Sequence, residues 1–139
     1  MIVLDTNVVS EGMRDHPNPV VVDWLDRNAD EGLRLAAPVL AELRQGIERL
    51  PVSRNRSRLE DKFRAMTTMF RGDVLSFDAD AAFAFGAMVG ERERRGRPIG
   101  AFDAMIAAIA RVHGADVATR DATDFAGLGL RLINPFAAG

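Results

Sequence analysis

The chain has 139 residues, 47% of them hydrophobic and 27% charged, which is enough to bury one core and predicts a single domain over residues 1–136. It has no cysteine, which excludes disulfides, thiol nucleophiles and thiolate zinc sites, and its two histidines, His16 and His113, disfavour a multi-histidine metal site. The formal net charge of −2 excludes nucleic-acid binding through overall charge, so any such binding needs local basic patches.

The hydrophobic pattern predicts short strands that alternate with amphipathic helices along the whole chain. The first half contains a strand over 1–4, a helical turn near 8–13 that Thr6 and Asn7 can cap, a helix from about 20 that Gly32 ends, a strand over 33–37, and helices over 38–50 and 53–70. The second half contains a strand over 74–77, helices over 78–95 and 100–113, and strands over 116–119 and 131–134. Because parallel strands need crossover helices, this alternation predicts a five-stranded parallel sheet covered on both faces, a three-layer α/β/α fold.

Four acidic residues, Asp5, Glu42, Asp103 and Asp121, stand where a predicted strand hands over to a helix or loop. In a parallel sheet these points lie along one edge, at the carboxyl ends of the strands, where ligand sites form. Four carboxylates gathered there repel one another unless a cation lies between them. Oxygen ligands without histidine or cysteine favour Mg²⁺ or Mn²⁺. The pattern therefore predicts a divalent metal site and phosphodiester chemistry.

Each of these carboxylates also has a simpler structural explanation. Asp5 and Asp121 can cap turns after strands, and Glu42 complements a helix dipole. Asp103 is harder to explain in this way, because every other residue from Gly100 to Ala110 is uncharged and nonpolar. An ionised carboxylate in so apolar a segment needs a partner or a metal. Their common placement, and Asp103 above all, favours the functional interpretation.

These residues together resemble those of a PIN domain. The resemblance rests on Asp5-Thr6-Asn7 after the first strand, Glu42 on a helix, Asp103-Ala104 opening an alanine-rich helix, and Thr119-Arg120-Asp121 with Asp124-Phe125 after the fourth strand. The best match within the family is the VapC-type toxin ribonucleases of bacterial toxin–antitoxin pairs, and it extends from Met1 to Phe136. Many relatives have asparagine at the position of Asp121 and an aspartate at that of Asp124. Asp121 is favoured as the fourth ligand because it stands nearer the strand end.

The resemblance implies a Mg²⁺- or Mn²⁺-dependent endoribonuclease that acts as the toxin of a type II toxin–antitoxin system. Asp5 and Asp103 would hold the metal directly, Glu42 and Asp121 through water or a second metal, and a metal-activated water would cleave RNA. Thr6 would orient Asp5 or a metal-bound water. The implied partners are RNA, a cognate antitoxin and a second copy of the chain. A start without signal-peptide features and the lack of a long apolar run predict a cytoplasmic protein with no membrane segment.

Basic and apolar clusters mark candidate contact surfaces. Two arginine groups can either hold RNA phosphates or form solvated helix faces: Arg54, Arg56 and Arg58, and Arg92, Arg94, Arg95 and Arg97. The apolar stripes Val39–Ile47 and Met66–Phe70 are candidate partner surfaces. His113, directly before Gly114, is interpreted as a helix end rather than a catalytic base.

Two other interpretations account for some of the same residues. A phosphoryl-accepting domain needs either a late lysine, whereas Lys62 is the only lysine, or an aspartate where this chain has Asn7. A non-enzymatic module whose acidic rim docks an arginine-bearing peptide remains open on the sequence. A nuclease assay with and without Mg²⁺ separates that module from the enzyme.

Overall fold

The computed structural model describes residues 1–137 and forms a parallel sheet with helices packed against it. The strands are β1 (Ile2–Leu4), β2 (Leu33–Ala36), β3 (Val74–Leu75), β4 (Asp116–Ala118) and β5 (Leu132–Ile133). The helices are α1 (Thr6–Gly12), α2 (Pro19–Arg27), α3 (Ala37–Glu48), α4 (Arg54–Met69), α5 (Ala79–Arg94) and α6 (Ala101–Val112), with a 3₁₀ turn at Ala29–Glu31. None of the helices within residues 1–137 has the length and apolar character needed to cross a bilayer.

The sheet has the strand order β3-β2-β1-β4-β5, and every pairing is parallel. The first strand is central: Ile2 is paired with Leu33 on one side and with Asp116 on the other. Strands covered on both faces are apolar throughout, and Val3 and Val117 have no exposed surface. The predicted five-stranded parallel α/β/α fold is confirmed. Its carboxyl edge brings the ends of β1 and β4 next to each other.

The alanine-rich helix α6 lies at the centre of the core. It packs against α5, α3 and the strands β1, β2 and β4, and the side chains of Ala104 and residues 106–110 are fully buried. Small alanine side chains allow close approach of a helix to its neighbours, while Ile106 and Ile109 fill the remaining space. This packing fixes the first turn of α6, and with it Asp103, at the carboxyl edge of the sheet.

The helix and strand ends differ from prediction at a few positions. Asp5, rather than Thr6 or Asn7, caps α1, because its Oδ1 accepts the main-chain N–H of Thr6 at 2.8 Å and the helix begins one residue after the carboxylate. The second strand stops at Ala36, one residue early, since α3 already begins at Ala37. The helix predicted to run to Gly32 ends earlier, at Arg27, and Gly32 instead ends the following 3₁₀ turn Ala29–Glu31 in the left-handed conformation with φ 76°.

Candidate active site

Asp5 is the buried centre of the carboxyl edge, with 4% of its surface exposed. Its Oδ1 accepts the Thr6 N–H, and its Oδ2 accepts the Thr119 hydroxyl at 2.7 Å and the Asn7 amide at 3.1 Å. Burial raises the pKa of Asp5, the bonds from Thr119 and Thr6 oppose that shift, and two nearby carboxylates add to it. Asp5 is therefore a helix cap and a member of an acidic cluster at once.

Asn7 joins the ends of β1 and β4. Its Nδ2 donates to Asp5 Oδ2 at 3.1 Å and to Asp121 Oδ2 at 3.0 Å, so one amide lies between two carboxylates. Its Oδ1 accepts the main-chain N–H of Arg120 at 3.2 Å. Thr119 Oγ1 in turn accepts the N–H of Asp121 at 2.9 Å. These bonds fix the loop after β4 against the start of α1.

Glu42 approaches the same edge from α3. The Thr6 hydroxyl donates to Glu42 Oε1 at 2.5 Å. Thr6 therefore binds two of the predicted site residues, Asp5 through its main chain and Glu42 through its side chain. Of the two roles predicted for Thr6, to orient Asp5 or a metal-bound water, the contact with Asp5 is made by its N–H, and its hydroxyl is bonded to Glu42.

Asp103 completes the set from the first turn of α6, whose N-cap residue Gly100 offers no side chain to the helix end. No side chain or main-chain N–H within residues 1–137 donates a hydrogen bond to its carboxylate. Burial raises the pKa of Asp103 to about 6, helped by the negative charges of Asp5, Glu42, Asp124 and Asp121, in that order. The structure thus brings all four sequence-predicted carboxylates into one electrostatic cluster.

The chemistry of this cluster fits a hard divalent cation. Its ligands are carboxylate oxygens, and their mutual repulsion is the condition that a cation relieves. Within the described residues, however, no three acidic or histidine side chains already converge into a finished coordination cage. Part of the reason is that Asp5 and Asp121 direct oxygens at the Asn7 amide.

Asp121 and Asp124 both face this cluster but are held differently. The Asp121 carboxylate is bonded to Asn7 and adds to the raised pKa of Asp5, whereas both carboxylates raise the pKa of Asp103, Asp124 more than Asp121. Both side chains are exposed. Asp121 is therefore the one coupled to Asp5 through Asn7, and Asp124 is the one whose charge acts more strongly on Asp103.

The arginine clusters are mostly engaged within the protein. Arg92, which we had considered as an RNA contact, is 7% exposed and donates to the carbonyl oxygens of Arg97 at 2.8 Å, Asp124 at 3.1 Å and Ala126 at 3.3 Å. It clamps the loop that carries Asp124 and cannot reach solvent. In the other cluster, Arg56 pairs with two glutamates and Arg58 with an aspartate: Glu48, Glu60 and Asp15.

A separate apolar groove of about 620 Å³ opens between α1, α2 and α4. Met66 and Phe70 line it, and Met69, with 77% of its surface exposed, stands at its margin. This agrees with the predicted Met66–Phe70 surface. The other predicted stripe is mostly turned inward, because Val39 is fully buried and Ile47 is only 5% exposed, while Leu40 and Leu43 are partly buried.

The sequence analysis named Thr119 and Asn7 within the family motifs but gave neither a role in holding the site. Thr119 is completely buried, and its hydroxyl links Asp5 to the loop after β4. The available signal was its position: a polar residue directly after the buried strand Asp116–Ala118, at the carboxyl edge. A buried hydroxyl needs partners, and at this edge the partners are the carboxylate and the loop.

Known proteins resemble the chain along nearly its whole length. A family model described as "PIN domain" matches residues 2–128. A relative described as "VapC ribonuclease Y4jK", from Sinorhizobium fredii, is 39% identical over 98% of each chain, and "Toxin FitB" from Neisseria gonorrhoeae is 36% identical over 98% of this chain and 99% of that one.

Two solved structures extend these similarities to three dimensions. FitAcB from Neisseria gonorrhoeae superposes with a TM-score of 0.89 at 36% identity and covers 99% of both chains. VapBC-5 from Mycobacterium tuberculosis, described as a member of the VapBC family of toxin-antitoxin systems, has a TM-score of 0.69 at 25% identity and covers 95% of this chain and 96% of that one.

Proposed function

The chain belongs to the PIN-domain family, and from this premise we propose that it is a metal-dependent endoribonuclease that acts as the toxin of a type II toxin–antitoxin pair. The similarity to a ribonuclease and to a toxin along almost the full length of each supports the activity and the biological role. The metal dependence rests on this chain's own carboxylates.

The observation that carries the metal site is the environment of Asp103. Its carboxylate is partly buried, receives no hydrogen bond from residues 1–137, and is surrounded by four other carboxylates. A group in that position is poorly stabilised as an anion unless a cation joins it. A structural role such as capping leaves this arrangement unexplained.

We assign the four site residues by how each is held. Asp103 and Asp5 would hold a Mg²⁺ or Mn²⁺ directly, and Glu42 and Asp121 would hold it through water or a second ion. When bound, the cation would supply Lewis-acid chemistry, activating water and offsetting charge on the phosphate. Asn7 and the hydroxyls of Thr6 and Thr119 orient the carboxylates from outside the site.

Cleavage of RNA by the purified chain tests this proposal. Wild type should cut RNA with Mg²⁺ or Mn²⁺, stop in EDTA and recover when the ion is restored. Asp103→Asn should abolish cleavage, because the amide keeps the shape of the side chain but not its charge. Asp80→Asn is the matched control, because Asp80 also lies in the first turn of a helix but is exposed on α5. If wild type binds an arginine-bearing peptide at its acidic edge but never cleaves RNA, the non-enzymatic binding module replaces the enzyme.

For the cognate antitoxin we propose the apolar groove between α1, α2 and α4 as the docking surface. Amphipathic helices commonly place their apolar face in grooves of this kind, and a volume of about 620 Å³ lined by methionine and branched side chains suits such a helix. Met69 and Phe70 leave apolar surface at its edge that a partner would cover.

We also propose a homodimer and a cytoplasmic location, in line with the implied biology of an RNA-cutting toxin. Light scattering of the purified chain should give the mass of two copies at micromolar concentration. A strict monomer there would reject the homodimer and leave the nuclease proposal unchanged.

A further inference from the structure

An arginine–aromatic pair lies beside the acidic cluster at the same edge of the sheet. The guanidinium carbon of Arg120 stands 4.7 Å from the centroid of the Phe136 ring. Arg120 follows Thr119 directly after β4, and Phe136 follows β5, the strand paired with it. The Thr119 N–H donates to the Ile133 carbonyl at 2.8 Å, which keeps the two strand ends together.

Both ends of Arg120 are fixed although the residue is exposed. Its main-chain N–H donates to Asn7 Oδ1, the amide that also binds Asp5 and Asp121, and its guanidinium rests on the half-buried Phe136 ring. An arginine held in this way loses less side-chain freedom when it binds an anion than a free one does. The main chain of Arg120 is thus joined, through Asn7, to the carboxylates of Asp5 and Asp121.

The charge of Arg120 is available to a ligand. Among residues 1–137 no carboxylate lies within salt-bridge distance of it, whereas most arginines on α3 and α4 are paired. Stacking on a ring leaves the edge of a guanidinium, with its N–H donors, free to meet an anion. An exposed and unpaired cation next to an acidic cluster is the group that a polyanion approaching that cluster would meet.

We propose that Arg120, supported by Phe136, binds a phosphate of the RNA backbone next to the bond that is cleaved. The inference rests on the proposed ribonuclease function and names the substrate contact of that same site. With a net charge of −2 and a cluster of carboxylates at the edge, the chain repels RNA unless fixed cations offset that repulsion locally. Arg120 positions substrate and takes no part in the chemical step.

Steady-state cleavage of a labelled single-stranded RNA tests the contact. Arg120→Ala should raise KM about 10-fold, with kcat within twofold of wild type, since one phosphate contact to arginine contributes a modest share of binding. It should also reduce the slope of log KM against log salt by about 0.7, the contribution of one phosphate in single-stranded RNA. Arg120→Lys should recover part of the affinity, and Phe136→Leu should raise KM by a smaller factor than Arg120→Ala.

Arg131→Ala is the matched control. Arg131 precedes β5 and pairs with Asp116 at the start of β4. Its replacement therefore removes the same charge from the same two strands, but at the opposite edge of the sheet. It should leave KM unchanged. The rise in the thermal unfolding midpoint on adding Mn²⁺ should be equal in Arg120→Ala and wild type, because the Arg120 side chain contacts none of the proposed metal-ligand side chains.

Three results would overturn the inference. One is a KM for Arg120→Ala equal to that of Arg131→Ala, and another is a loss confined to kcat. The third is unchanged RNA kinetics with weakened inhibition by the antitoxin, which would make the pair a protein contact instead. If wild type does not cleave RNA at all, the proposed function fails first, and the two failures are thereby distinguished.

Discussion

The carboxyl edge of the sheet and the groove between α1, α2 and α4 are incomplete in opposite ways. The edge gathers carboxylates held in place by hydrogen bonds from Thr6, Asn7 and Thr119, and burial together with the neighbouring negative charges raises the pKa of Asp5 and Asp103. The groove exposes apolar side chains around a volume of about 620 Å³. One region carries unfavourable electrostatics and the other uncovered apolar surface. Each is relieved by a different ligand, a cation with RNA at the edge and an antitoxin helix in the groove.

This difference predicts that the two regions can be disabled separately. A substitution at the edge should remove catalysis and leave the partner bound, and a substitution in the groove should do the reverse. A single shared function, such as peptide docking at the acidic edge, would couple them.

Replacing Asp103 by Asn should reduce RNA cleavage by roughly 10³-fold, because the amide keeps the shape of the side chain but not the charge that holds the cation. Expression of the variant should no longer arrest growth, while antitoxin still co-purifies with it. Circular dichroism confirms that the variant folds. Growth arrest equal to wild type would contradict the mechanism, and loss of antitoxin binding would contradict the separation of the two regions.

Within the edge, Asp121→Asn should slow cleavage by about 10- to 100-fold, the range expected for groups that orient a metal site. Asp124→Asn should remain within about threefold of wild type, a factor that corresponds to less than about 1 kcal/mol. The reason is that Asp121 is bonded to Asn7 and coupled to Asp5, whereas Asp124 lies outside that network. Rate constants for the two folded variants decide the assignment, and the reverse order would transfer the fourth position to Asp124.

In the groove, Met69→Glu should weaken antitoxin binding by about 30-fold, because it places a charge on a surface that the partner desolvates. Met69 is 77% exposed, so the free toxin should lose almost no stability and should cleave RNA at the wild-type rate. Val52→Glu is the matched control, since Val52 is exposed but lies outside the groove lining. Equal antitoxin affinity for both variants would place the docking surface elsewhere.

The pH dependence of stability gives a smaller effect with a definite sign. The pKa of Asp103 is raised from 3.8 to about 6 in the folded protein, so the unfolded chain releases this proton first as pH rises. Ionisation of Asp103 should therefore lower the free energy of unfolding of the metal-free protein as pH rises from about 4 to 6, and this loss should persist at higher pH. After allowance for solvent screening the loss is on the order of 1 kcal/mol.

Asp103→Asn removes this dependence, so in EDTA it should be more stable than wild type at pH 7 and nearly equal at pH 4. Denaturant titrations of both proteins at pH 4 and pH 7 measure the difference in their free energies of unfolding. A variant less stable than wild type at pH 7 would mean that Asp103 is stabilised by a contact within the protein.

The sequence was a good guide to whatever depends on local pattern. Short apolar runs and helix periodicity located all five strands and six helices within the described residues, because buried parallel strands are apolar on both faces. Asp5 and Asp121 meet as predicted because they follow β1 and β4, whose ends the sheet order brings side by side. Glu42 and Asp103 reach the same cluster from within helices, Glu42 from α3 and Asp103 from the first turn of α6, rather than from strand ends. Asp103 was singled out by the apolar composition of its helix, and the structure places its carboxylate, partly buried, beside four others.

What the sequence could not provide were contacts between distant segments. The bond from Thr119 to Asp5 joins residues 114 positions apart, and the burial of Arg92 depends on a loop more than 30 positions later in the chain. An arginine in a basic run looks like a surface charge until that loop folds over it. Val39 was assigned to a surface stripe because helix periodicity alone does not show which face of α3 packs inside the protein.

Thermal unfolding with and without Mn²⁺ tests the central claim, that the carboxyl edge is a cation site, most directly. Saturating Mn²⁺ should raise the midpoint of wild type by several degrees, because a ligand at about 100 times its Kd adds about 2.7 kcal/mol. Asp5→Asn/Asp103→Asn should show no rise, while the control Asp30→Asn/Asp80→Asn, which removes two exposed carboxylates, should respond like wild type. An unchanged midpoint for wild type, or an equal rise in the Asp5→Asn/Asp103→Asn variant, would contradict the account.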